Sequence, residues 1–350
     1  MKKVFLSILV IILLGSIITM GIGFKLNKSD NVEIKTYVDG VLASAPPAST
    51  DGYKVSNISC TNGASAKFNY STWRLEVSGT TSNTTCTVEF TSNDNETFAN
   101  YLIGKECSST PTSDDAAKNC LVNENGYRYE GKNPNNYVLF NDELWRVIGV
   151  FSMTTEAGAT ENLVKLIRNE TLDGLAWHSS SINNWSSATL QQQLNNGYLN
   201  ATDSTCNFYS SRTKTCYFSE TGLNSASRGM IESVVWNLGG TSSTSATADT
   251  FYTAERGTTV YSGRPTTWTG KVGLMYPSDY GYAVLASSCE RTTNLGDYDS
   301  TACAGNNWLK RGSSEWTLTS SSSYSFYAFY VAAAGNLFIR DRYYASGYGA

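Results

Sequence analysis

Eight cysteines constrain what this chain can fold into more than any other feature. In sequence order they form four neighbouring pairs, separated by 26, 13, 10 and 14 residues. Eight cysteines allow on the order of a hundred connectivities, but pairing between neighbours is the simplest, because each pair brackets a short polar loop such as "CSSTPTSDDAAKNC". Each such loop would add roughly 2–4 kcal/mol to stability. The predicted disulfide cysteines are Cys60 with Cys86, Cys107 with Cys120, Cys206 with Cys216, and Cys289 with Cys303.

The same cysteines argue against two kinds of chemistry. The sequence contains no C-x-x-C motif and one histidine, so the spacing does not fit a zinc site. Pairing uses all eight thiols and leaves no odd cysteine for catalysis. Structural disulfides persist in oxidising compartments, which predicts a chain that is exported from the cytoplasm.

The N-terminal segment supports export. Lys2 and Lys3 precede an apolar stretch that runs from Val4 to about Phe24. This stretch is longer than the apolar region of a signal peptide and is long enough to cross a bilayer. We expect residues 1–30 to form an uncleaved transmembrane anchor that places the rest of the chain on the extracellular face of the cell membrane. A cleaved signal peptide is the alternative, and it would make the protein secreted.

Composition excludes one class of partner. Only 16% of the residues are charged, the net charge is −4, and no Lys/Arg run follows the N-terminus. Nucleic-acid binders carry a basic patch or stripe, so we expect no nucleic-acid partner. The 22 tyrosines and 8 tryptophans favour strands over helices.

The chain divides into a tether, a small module and a larger domain. Residues 31–50 are predicted to be a linker, stiffened by Pro46 and Pro47. Residues 51–95 alternate apolar and polar positions between Asn-Gly and Ser-Gly turns, which predicts a small all-β module stapled by its disulfide. Residues 96–350 form the larger domain.

Local patterns in the larger domain predict both strands and helices. Two strands should meet at an Asn141-Asp142 turn, with core positions at Val138, Phe140, Leu144 and Val147. Apolar residues at helical spacing predict one helix in "NWSSATLQQQLNNGYL" and a second in "SASRGMIESVVWNLGG". The chain closes with a predicted hairpin about Gly335-Asn336.

Several stretches together resemble one family: "RYEGKNPNNYVLFNDELWRVIGVF", "NNWSSATLQQQLNNGYL", "IESVVWNLGG", "KVGLMYPSDYGYA", "NNWLKRGSSEWTLTSSS" and the final hairpin. They are similar to modules with a C-type-lectin-like fold on surface proteins of Gram-positive bacteria. The resemblance covers roughly residues 127–350. It implies an α+β fold, with two helices beside a small, mainly antiparallel sheet with long loops. Such modules usually close with an Arg-Pro-Val strand, and its absence here predicts an open sheet edge.

The titratable side chains offer little catalytic chemistry. His178 is interpreted as a half-exposed loop residue beside Trp177, because no serine lies in a nucleophile elbow. The calcium signature of animal lectins is absent, and we expect no metal and no cofactor. Four acids in the last third could form a glycosidase pair, but solvated loop positions are the better interpretation. They are Asp279, Asp297, Asp299 and Glu315.

The aromatic and arginine residues near the C-terminus are the candidate binding residues. Tyr, Trp and Arg dominate binding hot spots. We therefore predict a contact surface for a glycan or a protein ligand at Trp308, Arg340, Arg342, Tyr343 and Tyr344. The leading hypothesis is a non-catalytic cell-surface binding or adhesion protein. A pilin-like or envelope subunit and a surface enzyme acting on glycans remain open alternatives.

Overall fold

The computed structural model describes residues 32–49, 52–70, 72–81, 83–92, 97–172, 174–180, 182–209 and 212–341, and the backbone of 348–349. The chain divides into two units, Met1–Thr97 and Phe98–Ala350. We describe each unit by itself.

The fold is mostly β, with 35% of residues in strands and 19% in helices. The α+β prediction is therefore wrong, since several small sheets take the place of one sheet beside two helices. Within the described ranges, no helix is long and apolar enough to cross a membrane. The transmembrane helix predicted at residues 1–30 lies outside the described residues.

The second predicted helix accounts for part of this difference. "SASRGMIESVVWNLGG" forms only a short helix, Ser225–Gly229, before a strand at Val234–Asn237. Met230 is one of the apolar residues whose helical spacing predicted this helix with a buried face, and it is 76% exposed. Val234 and Val235 are β-branched and favour the extended backbone, and Trp236 pairs across the strands with Trp268. Tertiary pairing thus outweighs the helical spacing of the apolar residues.

The N-terminal unit is a small β module. Its four-stranded sheet has the order β2-β1-β6-β3, in which β1 and β6 are parallel, and β4 pairs with β5 in a separate hairpin. Leu75, Val88 and Phe90 form its buried core. Segment 31–50, predicted as a linker, contains β1 and β2, because Val32, Ile34 and the residues after them alternate like a strand. The strands are β1 Val32–Val38, β2 Val41–Ala43, β3 Tyr53–Cys60, β4 Ser65–Asn69, β5 Arg74–Ser78 and β6 Thr84–Ser92.

The C-terminal unit begins with two short helices and a five-stranded sheet of order β11-β10-β8-β7, with β9 paired to β10. The predicted turn is confirmed: Asn141 and Asp142 have φ of 57° and 59° and join β9 to β10. Val147 is buried as predicted, but Leu144 is 52% exposed, so its core assignment is wrong. The elements are α1 Phe98–Ile103, α2 Asp114–Ala117, β7 Val122–Asn123, β8 Tyr127–Arg128, β9 Tyr137–Phe140, β10 Glu143–Thr154 and β11 Thr160–Arg168.

The middle of this unit alternates short helices with two-stranded sheets. The first predicted helix is present. It consists of a 3-10 turn at Trp185–Ser187, an α turn at Thr189–Gln192 and a π-helical stretch at Gln193–Tyr198. Strands β12 and β13 pair with each other, as do β14 and β15. The elements are α3 Thr189–Gln192, β12 Ser204–Tyr209, β13 Arg212–Cys216, α4 Phe218–Thr221, α5 Ser225–Gly229, β14 Val234–Asn237, α6 Ala248–Glu255, β15 Thr267–Gly270, α7 Pro277–Tyr282, a 3-10 helix Leu295–Ser300 and α8 Ala302–Gly305.

The last sheet contains the predicted closing hairpin. Its order is β18-β17-β16-β19, and Gly335, at φ 111°, occupies the turn between β17 and β18. The edge predicted to be open is paired, because the backbone of β19 runs parallel to the start of β16. The strands are β16 Ser314–Ser320, β17 Tyr327–Val331, β18 Leu337–Asp341 and β19 Tyr348–Gly349.

Four disulfides join the eight cysteines in the predicted neighbour pairs. They are Cys60–Cys86, Cys107–Cys120, Cys206–Cys216 and Cys289–Cys303. The first lies within the N-terminal unit, where it connects β3 to β6. The other three each close a loop of 10 to 14 residues within the C-terminal unit.

Candidate functional site

Three loops of the C-terminal unit meet at the side chain of Asn183. This amide is 1% exposed, and its Nδ2 donates to the backbone oxygens of Ser321 (2.9 Å), Tyr324 (2.9 Å) and Tyr327 (3.0 Å). The backbone N–H of Asn183 adds a fourth bond, to the carbonyl oxygen of Ser325 at 2.7 Å. A buried amide that satisfies so many carbonyls fixes the loop between β16 and β17 in one conformation. We call residues 182–185, 261–266 and 320–327 the three-loop surface.

The loop between β16 and β17 presents aromatic rings. Ser321 is buried, and its hydroxyl accepts hydrogen bonds from the backbone N–H groups of Ser323 and Tyr324, each at 3.3 Å, which sets the turn. Tyr324 is 48% exposed, and its ring lies 5.2 Å from that of Tyr327. Phe326 packs edge-on against Tyr327 at 4.6 Å. The loop therefore holds an exposed tyrosine on a fixed aromatic support.

Arg264 supplies the positive charge of the three-loop surface. Its Nε donates to Oδ1 of Asn183 at 3.3 Å, and its guanidinium lies 5.4 Å from the ring centre of Tyr261. The backbone N–H of Arg264 closes a turn onto the carbonyl oxygen of Tyr261 at 3.0 Å. As a whole residue, Arg264 is half-buried. Asn183 therefore connects the arginine to the aromatic loop.

A shallow depression lies within this surface. The space inside it that a water-sized molecule can occupy is about 10 Å³, enough for about one water molecule, so it is a surface indentation and not an enclosed pocket. Gly240 lets its floor pack closely, since a Cβ there would lie 2.3 Å from the carbonyl oxygen of Ser320. The depression suits one chemical group of a larger ligand. Its lining residues are Asn183, Asn184, Trp185, Leu238, Arg264, Pro265, Leu318 and Ser320.

A second polar cluster is buried beneath the sheets. One carboxylate oxygen of Asp279 forms an ion pair with Arg128 at 3.0 Å, and the other forms one with Lys165 at 2.5 Å. The guanidinium of Arg128 also lies 4.6 Å and 4.8 Å from the rings of Phe151 and Tyr282. The two cations hold the pKa of Asp279 well below its usual range despite its burial. We call Arg128, Lys165 and Asp279 the buried ion triad.

Two further acids beside this core have raised pKa values. Burial raises the pKa of Glu255 to about 7, although both its oxygens accept hydrogen bonds from Ser278. Burial likewise raises the pKa of Glu130 to about 8, against the attraction of Arg291, which lies 2.7 Å away. Each acid contacts a protein group through at least one oxygen, so we interpret both as structural residues whose burial favours the protonated form.

The structure corrects the interpretation of the titratable residues. Asp279 and Glu315 were predicted to be solvated loop acids, but both are buried, and Glu315 is ion-paired with Arg311. Asp297 and Asp299 are both exposed, as predicted. His178 was predicted to be half-exposed and is 4% exposed, with its Nδ1 accepting the N–H of Ser180. No group of three or more His, Cys, Asp or Glu in the described part of the chain is arranged to hold a metal ion.

The predicted contact residues are not brought together. Trp308 is 4% exposed, with its indole N–H donating to the carbonyl oxygen of Tyr129 and its ring covered by Arg146. Arg340 is exposed on β18, in register with Ala328. The other three predicted residues, 342–344, lie outside the described residues. Trp308 thus belongs to the core, and Arg340 lies one strand away from the aromatic loop.

The residues that form the three-loop surface carry no recognisable sequence pattern. Asn183 and Arg264 lie in "INNW" and "SGRPTT", polar segments without periodicity. Asparagine in such a segment signals a turn or a cap, and Asn184 does cap the 3-10 helix. No local pattern reveals that Asn183 reaches a loop about 140 residues further along the chain.

Compared with protein-family models, with curated proteins and with solved structures, the chain shows no significant match. The resemblance to lectin-like surface modules therefore stays a prediction, and the α+β architecture that it implied is contradicted by the strand content.

Proposed function

We propose that this chain is a non-catalytic cell-surface binding protein that recognises a glycan through the three-loop surface. The observation that carries the proposal is the clamp at Asn183, which fixes an exposed tyrosine and an arginine beside a shallow depression. A surface that is already ordered loses little conformational entropy when it binds.

The chemistry of this surface suits a sugar. Tyrosine offers a rigid, amphipathic face against which the apolar C–H groups of a sugar ring can pack, and Tyr324 presents such a face to solvent. Arg264 and Ser320 line the depression of the same three-loop surface and supply polar groups for sugar oxygens. A protein ligand would use the same aromatic and arginine groups, so it is the competing outcome of the test.

The four disulfides support an exported location. Bonds of this kind persist in secreted and surface proteins and are rare in the cytosol. A glycan on the cell surface or in the surrounding matrix would be within reach of such a protein.

The test is a glycan-array screen of the full chain with its disulfides formed, followed by titration of any hit. Tyr324→Ala should weaken binding at least about tenfold, since a central aromatic residue often contributes more than about 1.4 kcal/mol. Tyr217→Ala is the matched control, because Tyr217 is 60% exposed and does not belong to the three-loop surface. Binding that survives Tyr324→Ala, or no glycan binding at all, would count against the proposal.

A structural subunit is the second candidate, and a feature of the N-terminal unit favours it. β2 is an edge strand of its sheet, and it exposes Val41 (69%) and Leu42 (61%). An exposed apolar edge can pair with another chain. Sedimentation velocity over a wide concentration range would test this: assembly that a Leu42→Lys variant abolishes would favour the structural role.

A further inference from the structure

Arg264 differs from most of the arginines that hold the C-terminal unit together; buried Arg146 also has an asparagine as its partner, but Arg264 is half-buried and lines a depression open to solvent. Arg128, Arg168, Arg291 and Arg311 each contact a carboxylate. In the described part of the chain no Asp or Glu lies within ion-pair distance of Arg264, whose Nε instead donates to the neutral amide of Asn183. Its terminal nitrogens are therefore available to an acceptor from outside the protein.

The walls of the depression around Arg264 also lack a negative charge. None of its eight lining residues is acidic. The amide oxygen of Asn184 already accepts the N–H of Ser186, and that of Asn183 accepts Arg264. The buried indole N–H of Trp185, in the same wall, has no acceptor among the described residues. That N–H is shielded from solvent, so the donor that the depression offers to a ligand is the guanidinium of Arg264.

We infer that the depression binds a carboxylate, so that the ligand is an acidic glycan that contains a uronic acid. This inference rests on the proposed function. The guanidinium is planar and presents two parallel N–H donors, a geometry that matches the two oxygens of a carboxylate. One cation in a depression of this size balances one negative charge. Tyr324, held by the same asparagine, would then pack against a neighbouring sugar.

The experiment compares two probes that differ in one group. Oligomers of galacturonic acid and the same oligomers after reduction of each carboxylate to an alcohol are titrated against the full chain by calorimetry at low salt. The acidic oligomer should bind about 10- to 100-fold more tightly, the range expected for a charge-assisted hydrogen bond. This preference should shrink as salt is added.

Variants of Arg264 test whether this residue causes the preference for the acidic oligomer. Arg264→Gln should abolish the preference for the acidic oligomer, and Arg264→Lys should retain part of it, because the charge stays while the two-donor geometry is lost. Arg212→Gln is the matched control: it removes the same charge from an exposed position on β13 that does not line the depression. Circular dichroism of each variant checks that the fold is intact.

The outcomes separate this inference from the proposed function. Equal binding of both oligomers that Tyr324→Ala abolishes would overturn the carboxylate inference and leave glycan binding in place. Tighter binding of a glycerol-phosphate polymer than of the galacturonic acid oligomer would also overturn it, in favour of a phosphate ligand. A wild-type chain that binds no glycan would overturn the proposed function itself.

Discussion

Arg128 and Arg264 use the same side chain in opposite ways. Arg128 is 1% exposed, bonds to Asp279 and lies against two aromatic rings. Arg264 is half-buried beside a solvent-open depression and has an amide as its neighbour. A buried cation must be compensated within the protein, because an unpaired one would be too unfavourable to bury. A cation that is left uncompensated at a formed surface instead offers a binding group.

The largest predicted effect comes from breaking the buried ion triad. Asp279→Asn leaves Arg128 and Lys165 buried without their counter-ion. We expect it to lower the free energy of unfolding by about 3–5 kcal/mol. Urea denaturation measures this, with Asp299→Asn as the exposed control. A loss below about 1 kcal/mol would show that this triad does not hold the fold.

The next effect concerns the clamp of the three-loop surface. Asn183→Ala removes the donor shared by three backbone carbonyls, and we expect a loss of about 2 kcal/mol in unfolding free energy. Hydrogen exchange should accelerate at the amides of residues 321–327 more than elsewhere. Asn306→Ala is the control, since that side-chain amide donates to a single carbonyl, that of Ala302. Uniform acceleration over the whole unit would contradict a local clamp.

We expect the free energy of unfolding to depend on pH through the two buried acids, Glu130 and Glu255. The folded-state pKa values of Glu130 and Glu255, about 8 and about 7, lie above the ordinary value of 4.5. The folded chain therefore holds protons that the unfolded chain releases. Their contribution to stability is complete below about pH 4.5 and is lost as the pH rises to about 8.

Thermal or urea unfolding between about pH 5 and pH 8 tests this, and Glu130→Gln should flatten the curve because glutamine mimics the protonated acid. The contribution of Asp279 to stability changes with pH in the opposite direction. Its lowered pKa contributes stability that is lost when the pH falls below the ordinary range of an aspartate. A rise in stability over the same pH range would mean that Glu130 is ionised in the folded protein.

The smallest predicted effect on stability is that of replacing Arg264. Arg264→Gln should change the unfolding free energy by no more than about 0.5 kcal/mol, because the side chain has no ion pair to lose among the described residues. The same denaturation assay that detects Asp279→Asn measures it. A loss comparable to that of Asp279→Asn would identify Arg264 as a structural residue and erase the contrast.

Local features of the fold were predictable from the sequence. The disulfide pairs follow from short spacing, and the turns at Asn141-Asp142 and Gly335 follow from residues that tolerate positive φ. The strand that replaces most of the second predicted helix was not predictable, because the pairing of Trp236 with Trp268 depends on a strand some thirty residues away. Burial of a given tryptophan is likewise a tertiary property, which is why Trp308 was assigned to the surface.

The candidate site depended even more on distant partners. Asn183, Arg264 and Ser321 come from separate parts of the chain, and their meeting is visible only in the folded protein. Charge pairing had the same difficulty: the counter-ion of Arg128 is 151 residues away, so Asp279 looked like any acid in a loop.

The parallel pairing of β1 with β6 has a mechanical consequence. The first strand of the N-terminal unit starts at Val32, and its last strand, β6, ends at Ser92. Tension along the chain would pull the two strands past each other and load their seven register pairs, from Val32–Thr84 to Val38–Phe90, at the same time. We expect this unit to unfold in single-molecule stretching at a higher force than a hairpin of equal length, whose hydrogen bonds open one after another.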